Sequence, residues 1–204
     1  MAVADLLNPG SRAAREVGTL LHAWIERFGW HAPPPSDSEL LAVATEYPLL
    51  ADQHRHLLRD FRGMLAAPTV AALLASPAAK LPAGLVARGL PAGPAEPILK
   101  LEQAFALKDE AGMVQGVIDR LVIWQRTGRP VAAEVIDFKF DGVGSGPGAA
   151  AADNARLIAE KTAFYAPQLE AYRAAVAKLY SLPPARVTAQ LVFMRSGSIV
   201  PVGG

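Results

Sequence analysis

Apolar positions in the first third of the chain recur with helical spacing. Val17, Leu20, Leu21, Trp24, Ile25 and Phe28 stand at i, i+3, i+4, i+7, i+8 and i+11, one stripe of an amphipathic helix that the prolines at 33–35 must stop. Residues 38–75 are rich in Ala and Leu with looser spacing, and Pro48 and Pro68 break them into two or three further short helices. Residues 76–97, SPAAKLPAGLVARGLPAGPAEP, concentrate Pro and Gly and read as a linker-like loop. The pattern then changes to strands. ILKLEQAFAL (98–107), MVQGVIDRLVIW (113–124) and VAAEVIDFKF (131–140) are rich in β-branched and large apolar residues, each bounded by turn residues, which predicts a three-stranded meander. The Gly-rich stretch 141–153 is a loop. Tyr165, Leu169, Tyr172, Val176 and Leu179 then mark a helix reaching about Tyr180, with Pro167 near its start or kinking it. RVTAQLVFM (186–194) and SIVPV (198–202), joined through 195–197, form a closing hairpin. Helices, antiparallel strands, a helix and two more strands predict an α/β or α+β fold with helices packed on a central sheet. One domain over 1–204 is expected: a helical part to residue 75, the loop 76–97, and a sheet-and-helix core from 98.

Composition narrows the classes of function. Of the 204 residues 51% are hydrophobic and 19% charged, enough apolar area for a packed core. With 20 Lys+Arg against 19 Asp+Glu the formal charge is +1, so no global field holds a polyanion and any nucleic-acid contact must come from a local patch or a partner. The chain has no cysteine, which excludes disulfides, thiolate zinc, cysteine nucleophiles and Fe-S clusters. The opening MAVADLLNPGSRAARE lacks a basic-then-apolar leader and no apolar run is long enough to span a bilayer, so a soluble cytoplasmic protein without membrane contact is expected.

The chemistry concentrates in two strands. Alternation puts Val135, Asp137 and Lys139 on one face, with Asp137 and Lys139 roughly 6–7 Å apart. In the preceding strand Val117, Asp119, Leu121 and Ile123 share a face on which Asp119 is the only charge. If the connection QRTGRP turns about Gly128, residues whose numbers add to 256 pair, and Asp119 faces Asp137; a turn displaced by one residue puts the two acids on opposite faces. Two opposed carboxylates in an apolar sheet repel, and a hard divalent cation with oxygen ligands, Mg²⁺ or Mn²⁺, relieves that. Lys139 can then orient a metal-bound water or balance a phosphate, which suits hydrolysis of phosphate esters. The plainer alternative is a solvated Asp-x-Lys pair, with Asp119 in a local salt bridge or capping a turn. Elsewhere, His54 and His56 stand i, i+2 and share no helical face, which argues against zinc. GVGSGPG lacks the Gly-Lys-Ser/Thr ending of a phosphate loop, so no ATP site is expected in this chain.

These residues resemble the RecB/AddA-type nuclease domain of the PD-(D/E)XK superfamily, closest to the AddA-like helicase–nuclease subunit. The matching pieces are GTLLHAWIE with Gly18 and His22, LEQAFAL with Glu102, GVIDRLVI with Asp119, EVIDFKFD with Asp137 and Lys139, and YAPQLEAYRAAVAKLY with Gln168 and Tyr172, in the family's order. Phe140 departs from the family, where a small hydroxylated residue usually follows the lysine. The resemblance implies that Asp119, Asp137, His22 and the carbonyl of Phe138 bind the metal and that Lys139 serves the attacking water. It further implies that Gln168 and Tyr172, i and i+4 on one helix face, position Lys139 or a DNA phosphate, with Glu102 and Gly18 as accessory positions. Read from the stripe alone, His22 is a solvated histidine on a helix flank, Tyr172 a core residue and Gln168 an ordinary surface amide.

The expected function is therefore a Mg²⁺-dependent deoxyribonuclease, an exonuclease of the RecB/AddA type acting on single-stranded DNA. A helicase in double-strand-break repair and recombination would deliver the strand, in the bacterial cytoplasm at the nucleoid. Two competing readings are a non-catalytic nuclease-fold module that binds DNA or docks to a helicase, and a metal-dependent phosphatase using the same carboxylates.

Overall fold

The computed structural model describes residues 12–30, 32–79, 81–87, 89–109, 112–140 and 151–203. The Gly-rich loop expected at 141–153 thus lies, up to residue 150, outside the described residues. The chain divides into two compact units, one drawn from 1–75, 138–157 and 193–198, the other from 76–137, 158–192 and 199–204.

The first unit is mainly helical. Helix α1 (Arg12–Ile25) buries Ala13, Val17, Leu20, Leu21, Trp24 and Ile25, the stripe read from the sequence. It ends well before the prolines because its last turn tightens: Arg27 and Phe28 donate their N–H groups to Trp24 and Ile25, three residues back, and Gly29 comes next. Phe28 lies beyond the helix and is half-buried, its ring 5.9 Å from that of Phe61. Helix α2 (Asp37–Ala44) opens on a capping box, in which Ser36 Oγ accepts from the Glu39 N–H while the Glu39 carboxylate accepts from the Ser36 N–H. Its Leu40 carbonyl accepts the buried Trp24 Nε1–H at 2.7 Å, which ties α2 to α1. The two prolines that break the pattern also start the next elements, Pro48 a 3-10 turn (Pro48–Gln53) and Pro68 helix α4 (Pro68–Leu74), since an N–H in the first turn has no helical hydrogen bond to lose. Between them α3 (His54–Leu65) buries Leu57, Leu58, Phe61 and Met64.

The sheet belongs, strand ends apart, to the second unit. Strands β1 (Glu96–Asp109), β2 (Gly112–Arg126), β3 (Arg129–Lys139), β4 (Val187–Phe193) and β5 (Ser198–Val202) lie side by side in chain order. The first three form the antiparallel meander. From β3 to β4 the chain runs through the long helix α6 (Ala151–Leu179), and two contacts show these strands running the same way. Thr188 bonds to the Ala133 carbonyl and Arg195 to that of Phe140, each 55 residues apart. A five-stranded mixed sheet flanked by helices, with an N-terminal helical segment, agrees with a restriction-endonuclease-like α/β fold.

The β2–β3 turn is tighter than one centred on Gly128. Thr127 and Gly128 both take positive φ (47° and 74°), a type I′ turn. The first pairs are Arg126–Arg129 and Gln125–Pro130, whose numbers add to 255, the odd offset that would separate the two acids. A β-bulge between Trp124 and Gln125 then absorbs Val131, and from Trp124–Ala132 to Arg120–Ile136 the numbers add to 256. β3 is buried on both faces, as a central strand should be, with Ala132, Ala133, Val135, Ile136 and Asp137 all buried.

Residues 76–97 are less of a linker than their Pro and Gly content suggests. They contain the short helix α5 (Ala83–Ala87) and bury Leu81, Leu85, Leu90 and Ala95. Arg126 clamps them by donating to the carbonyls of Pro91 (2.6 Å) and Pro94 (3.0 Å). Helix α6 starts far enough upstream that Pro167 lies inside it, and of its predicted stripe Leu169, Tyr172 and Val176 are buried. Among the described residues no helix is long and apolar enough to cross a membrane.

Candidate active site

The β2–β3 register extended by one residue past Arg120–Ile136 puts Asp119 opposite Asp137. On its other side β2 pairs with β1 through residues whose numbers add to 221, on both sides of Glu102, so Glu102 occupies the place facing Asp119. Three acids thus share one row across three neighbouring strands of the second unit. Asp137 is 3% exposed and Asp119 half-buried, while Glu102 is exposed.

The row is a register, not a finished ligand cage. Among the described residues no three His, Cys, Asp or Glu side chains group closely enough to hold a metal ion. Glu102 has a left-handed backbone (φ 47°), which for a residue with a Cβ costs about 1–2 kcal/mol and turns its side chain out of the strand's alternation. That leaves two carboxylates in register. As donors they are hard oxygens, the kind that suits Mg²⁺ or Mn²⁺ and not a soft metal.

Gln168 and Tyr172 are brought together directly. The Gln168 amide donates to the Tyr172 hydroxyl at 2.8 Å across one turn of α6. Tyr172 is both core and polar handle: it is 8% exposed and meets Phe105 of β1 edge-on, centroids 5.4 Å apart. Gly116 of β2 makes room for it. A Cβ there would stand 2.8 Å from Tyr172 Cε1, 3.1 Å from its hydroxyl and 3.2 Å from Phe105 Cε1. Sequence reasoning missed Gly116, although a glycine inside a strand pattern signals close approach of another group.

The remaining site candidates lie in the first unit. His22, on the flank of α1, sets its ring edge-on to Phe140, centroids 5.0 Å apart at 81°. Phe140, the departure from the family pattern, is 8% exposed and also faces Phe61. An added Cβ on Gly18 would touch nothing, so the flank one turn before His22 is open. Lys139 is half-buried, and its carbonyl accepts the Met194 N–H at 2.9 Å, so strand alternation turns the Phe138 carbonyl the other way.

Two further charges escaped the sequence reading. Arg120, next to Asp119 but on the opposite face of β2, is fully buried, and desolvation lowers its pKa to about 10, which still leaves it charged at neutral pH. Glu134, three residues before Asp137 and on the other face of β3, is raised by burial to about 7. Both interrupt apolar runs, the same signal that singled out the two aspartates.

A search of curated proteins gives no match. A model of the PD-(D/E)XK nuclease superfamily matches residues 3–201, nearly the whole chain, over the helices, the meander and the closing strands alike. The chain belongs to the PD-(D/E)XK nuclease superfamily.

Proposed function

We propose that the chain is a metal-dependent DNA nuclease of the RecB/AddA type, acting on single-stranded DNA as the nuclease part of a helicase–nuclease in double-strand-break processing. A nuclease fold implies DNA binding, and nucleases of this superfamily usually use divalent metals. The observation that supports the proposal is the β2–β3 register from Trp124–Ala132 to Arg120–Ile136, which carried one residue further sets Asp119 across from Asp137 despite a turn that alone would have separated them. With these carboxylates and the Phe138 carbonyl as ligands, a bound Mg²⁺ or Mn²⁺ would make water nucleophilic at neutral pH and offset charge on the phosphate.

The chain's own residues do the rest. Asp119 and Asp137 supply the negative charge that recruits the ion, and burial of Asp137 strengthens its pull. Lys139, two residues on and on the same face of β3, donates from Nζ to the attacking water and attracts the scissile phosphate. Gln168 and Tyr172, already hydrogen-bonded, present a fixed donor pair for a phosphate oxygen. The metal-binding role expected of His22 rests on the resemblance alone. A net charge of +1 suits a nuclease fed by a helicase better than one that captures DNA unaided.

The test is shortening of end-labelled single-stranded DNA by the wild-type chain in Mg²⁺, abolished by a chelator. DNA or helicase binding without cleavage would instead identify a non-catalytic module, and phosphate release from small esters with DNA untouched a phosphatase.

A further inference from the structure

Phe164 lies on α6 and is 74% exposed, the most exposed large hydrophobic side chain among the described residues. A Phe left in water forgoes the benefit of burial, and nothing in the packing of the helix asks for one there. Its position is informative. Phe164 stands one turn before Gln168 and two before Tyr172, so the ring shares a helix face with the hydrogen-bonded pair. The Tyr165 ring stands nearly perpendicular to it, centroids 5.0 Å apart at 82°, and with that neighbour in place the Phe164 side chain is still 74% exposed. Pro167, in the next turn, has no N–H, so the carbonyl of Ala163 beside Phe164 receives no helical hydrogen bond from it. Glu160 and Lys161, one turn earlier, put one charge of each sign beside the ring, so the spot is not a simple anion patch.

We propose that Phe164 is a stacking platform for an unpaired base of the DNA strand, and so a determinant of single-strand specificity. This rests on the nuclease reading above, which supplies DNA as the ligand. An open aromatic face next to a polar pair is what single-strand recognition uses: the ring takes a base of any sequence, while neighbouring donors hold the backbone. A base within a duplex has its faces covered and cannot use the platform.

Binding and cleavage are measured separately, so that the two ideas can fail separately. Affinity for a labelled single-stranded oligonucleotide and for its duplex is measured without metal, and cleavage is then followed in Mg²⁺. Phe164→Ala should weaken single-strand binding about 5- to 150-fold, the range for losing one base–aromatic stack, and leave duplex binding unchanged. In cleavage the loss should fall on KM, with kcat within about twofold. Phe164→Trp should restore or improve both, a rescue that a merely structural role would not give. At 74% exposure the alanine variant should melt as the wild type does. Unchanged single-strand affinity in Phe164→Ala, or an equal loss on single strand and duplex, overturns the platform. Wild-type chain that never cleaves, but loses single-strand affinity on Phe164→Ala, overturns the nuclease reading and leaves the platform standing.

Discussion

Gly116→Ala tests how the late helix is seated on the sheet. The added Cβ would meet Tyr172 Cε1 at 2.8 Å, closer than real Cβ atoms come, and its hydroxyl at a tight 3.1 Å. Tyr172 cannot simply swing away, because Phe105 packs on the ring and the Gln168 amide holds its hydroxyl. Overpacking of this kind costs about 1–3 kcal/mol, larger than the benefit of roughly 0.5–1 kcal/mol that Ala brings over Gly in a strand. In a Tyr172→Ala background the two shortest contacts are gone, and of the three nearest atoms Phe105 Cε1, at 3.2 Å, remains. The same substitution should there be close to neutral. Urea denaturation of the four proteins of this cycle should give a coupling of about 1–3 kcal/mol at constant m-value. An equal cost of Gly116→Ala in both backgrounds would refute the reasoning. Single-strand cleavage by Gly116→Ala should also fall, since the hydroxyl that Gln168 holds must move.

Two other perturbations read the sheet itself. The Glu134 carboxyl is raised from an unfolded value near 4.3 to about 7, so between those pH values the folded state binds the extra proton and stability falls as pH rises. Well above pH 7 the full penalty, on the order of 3–4 kcal/mol, applies. Glu134→Gln should therefore gain stability over the wild type at pH 8 and gain little at pH 4, and a pH-independent difference in denaturation midpoint would contradict this. In the β2–β3 turn Thr127, β-branched and exposed, is held at φ 47° before Gly128. Thr127→Asn should stabilise by about 0.5–1 kcal/mol, read as a rise of about 1–4 °C in Tm, and a lower Tm would show that the turn is not type I′.

Much of this architecture is legible in the sequence because it depends on periodicity. The Val17–Ile25 stripe, the three strands and the closing hairpin each carry an apolar pattern that only one element satisfies. The β2–β3 register that runs toward Asp119 opposite Asp137 is legible only as a conditional, since it depends on two opposite one-residue shifts. A Thr-Gly turn hides the first and the bulge at Val131 the second, neither of which leaves a strong local signature. Residues 76–97 mislead for a different reason: Pro and Gly report a lack of regular structure, not of burial, and the leucines at 81, 85 and 90 are the better guide. Gly116, Arg120 and Glu134 show what local reading misses. Their significance comes from residues distant in sequence, such as Tyr172, or from a depth of burial that only the folded sheet defines.

The central claim is that Asp137 and Lys139 belong to a metal-dependent cleavage site. Asp137→Asn keeps the size of a side chain that is 3% exposed, so the fold should survive while the charge that recruits the ion is lost. End-labelled single-stranded DNA should be cut by the wild type in Mg²⁺. Under the same conditions Asp137→Asn and Lys139→Ala, each checked by its melting curve, should be slower by at least about 100-fold, the upper range for residues one shell removed from a metal. Cleavage by folded Asp137→Asn at the wild-type rate would contradict the account.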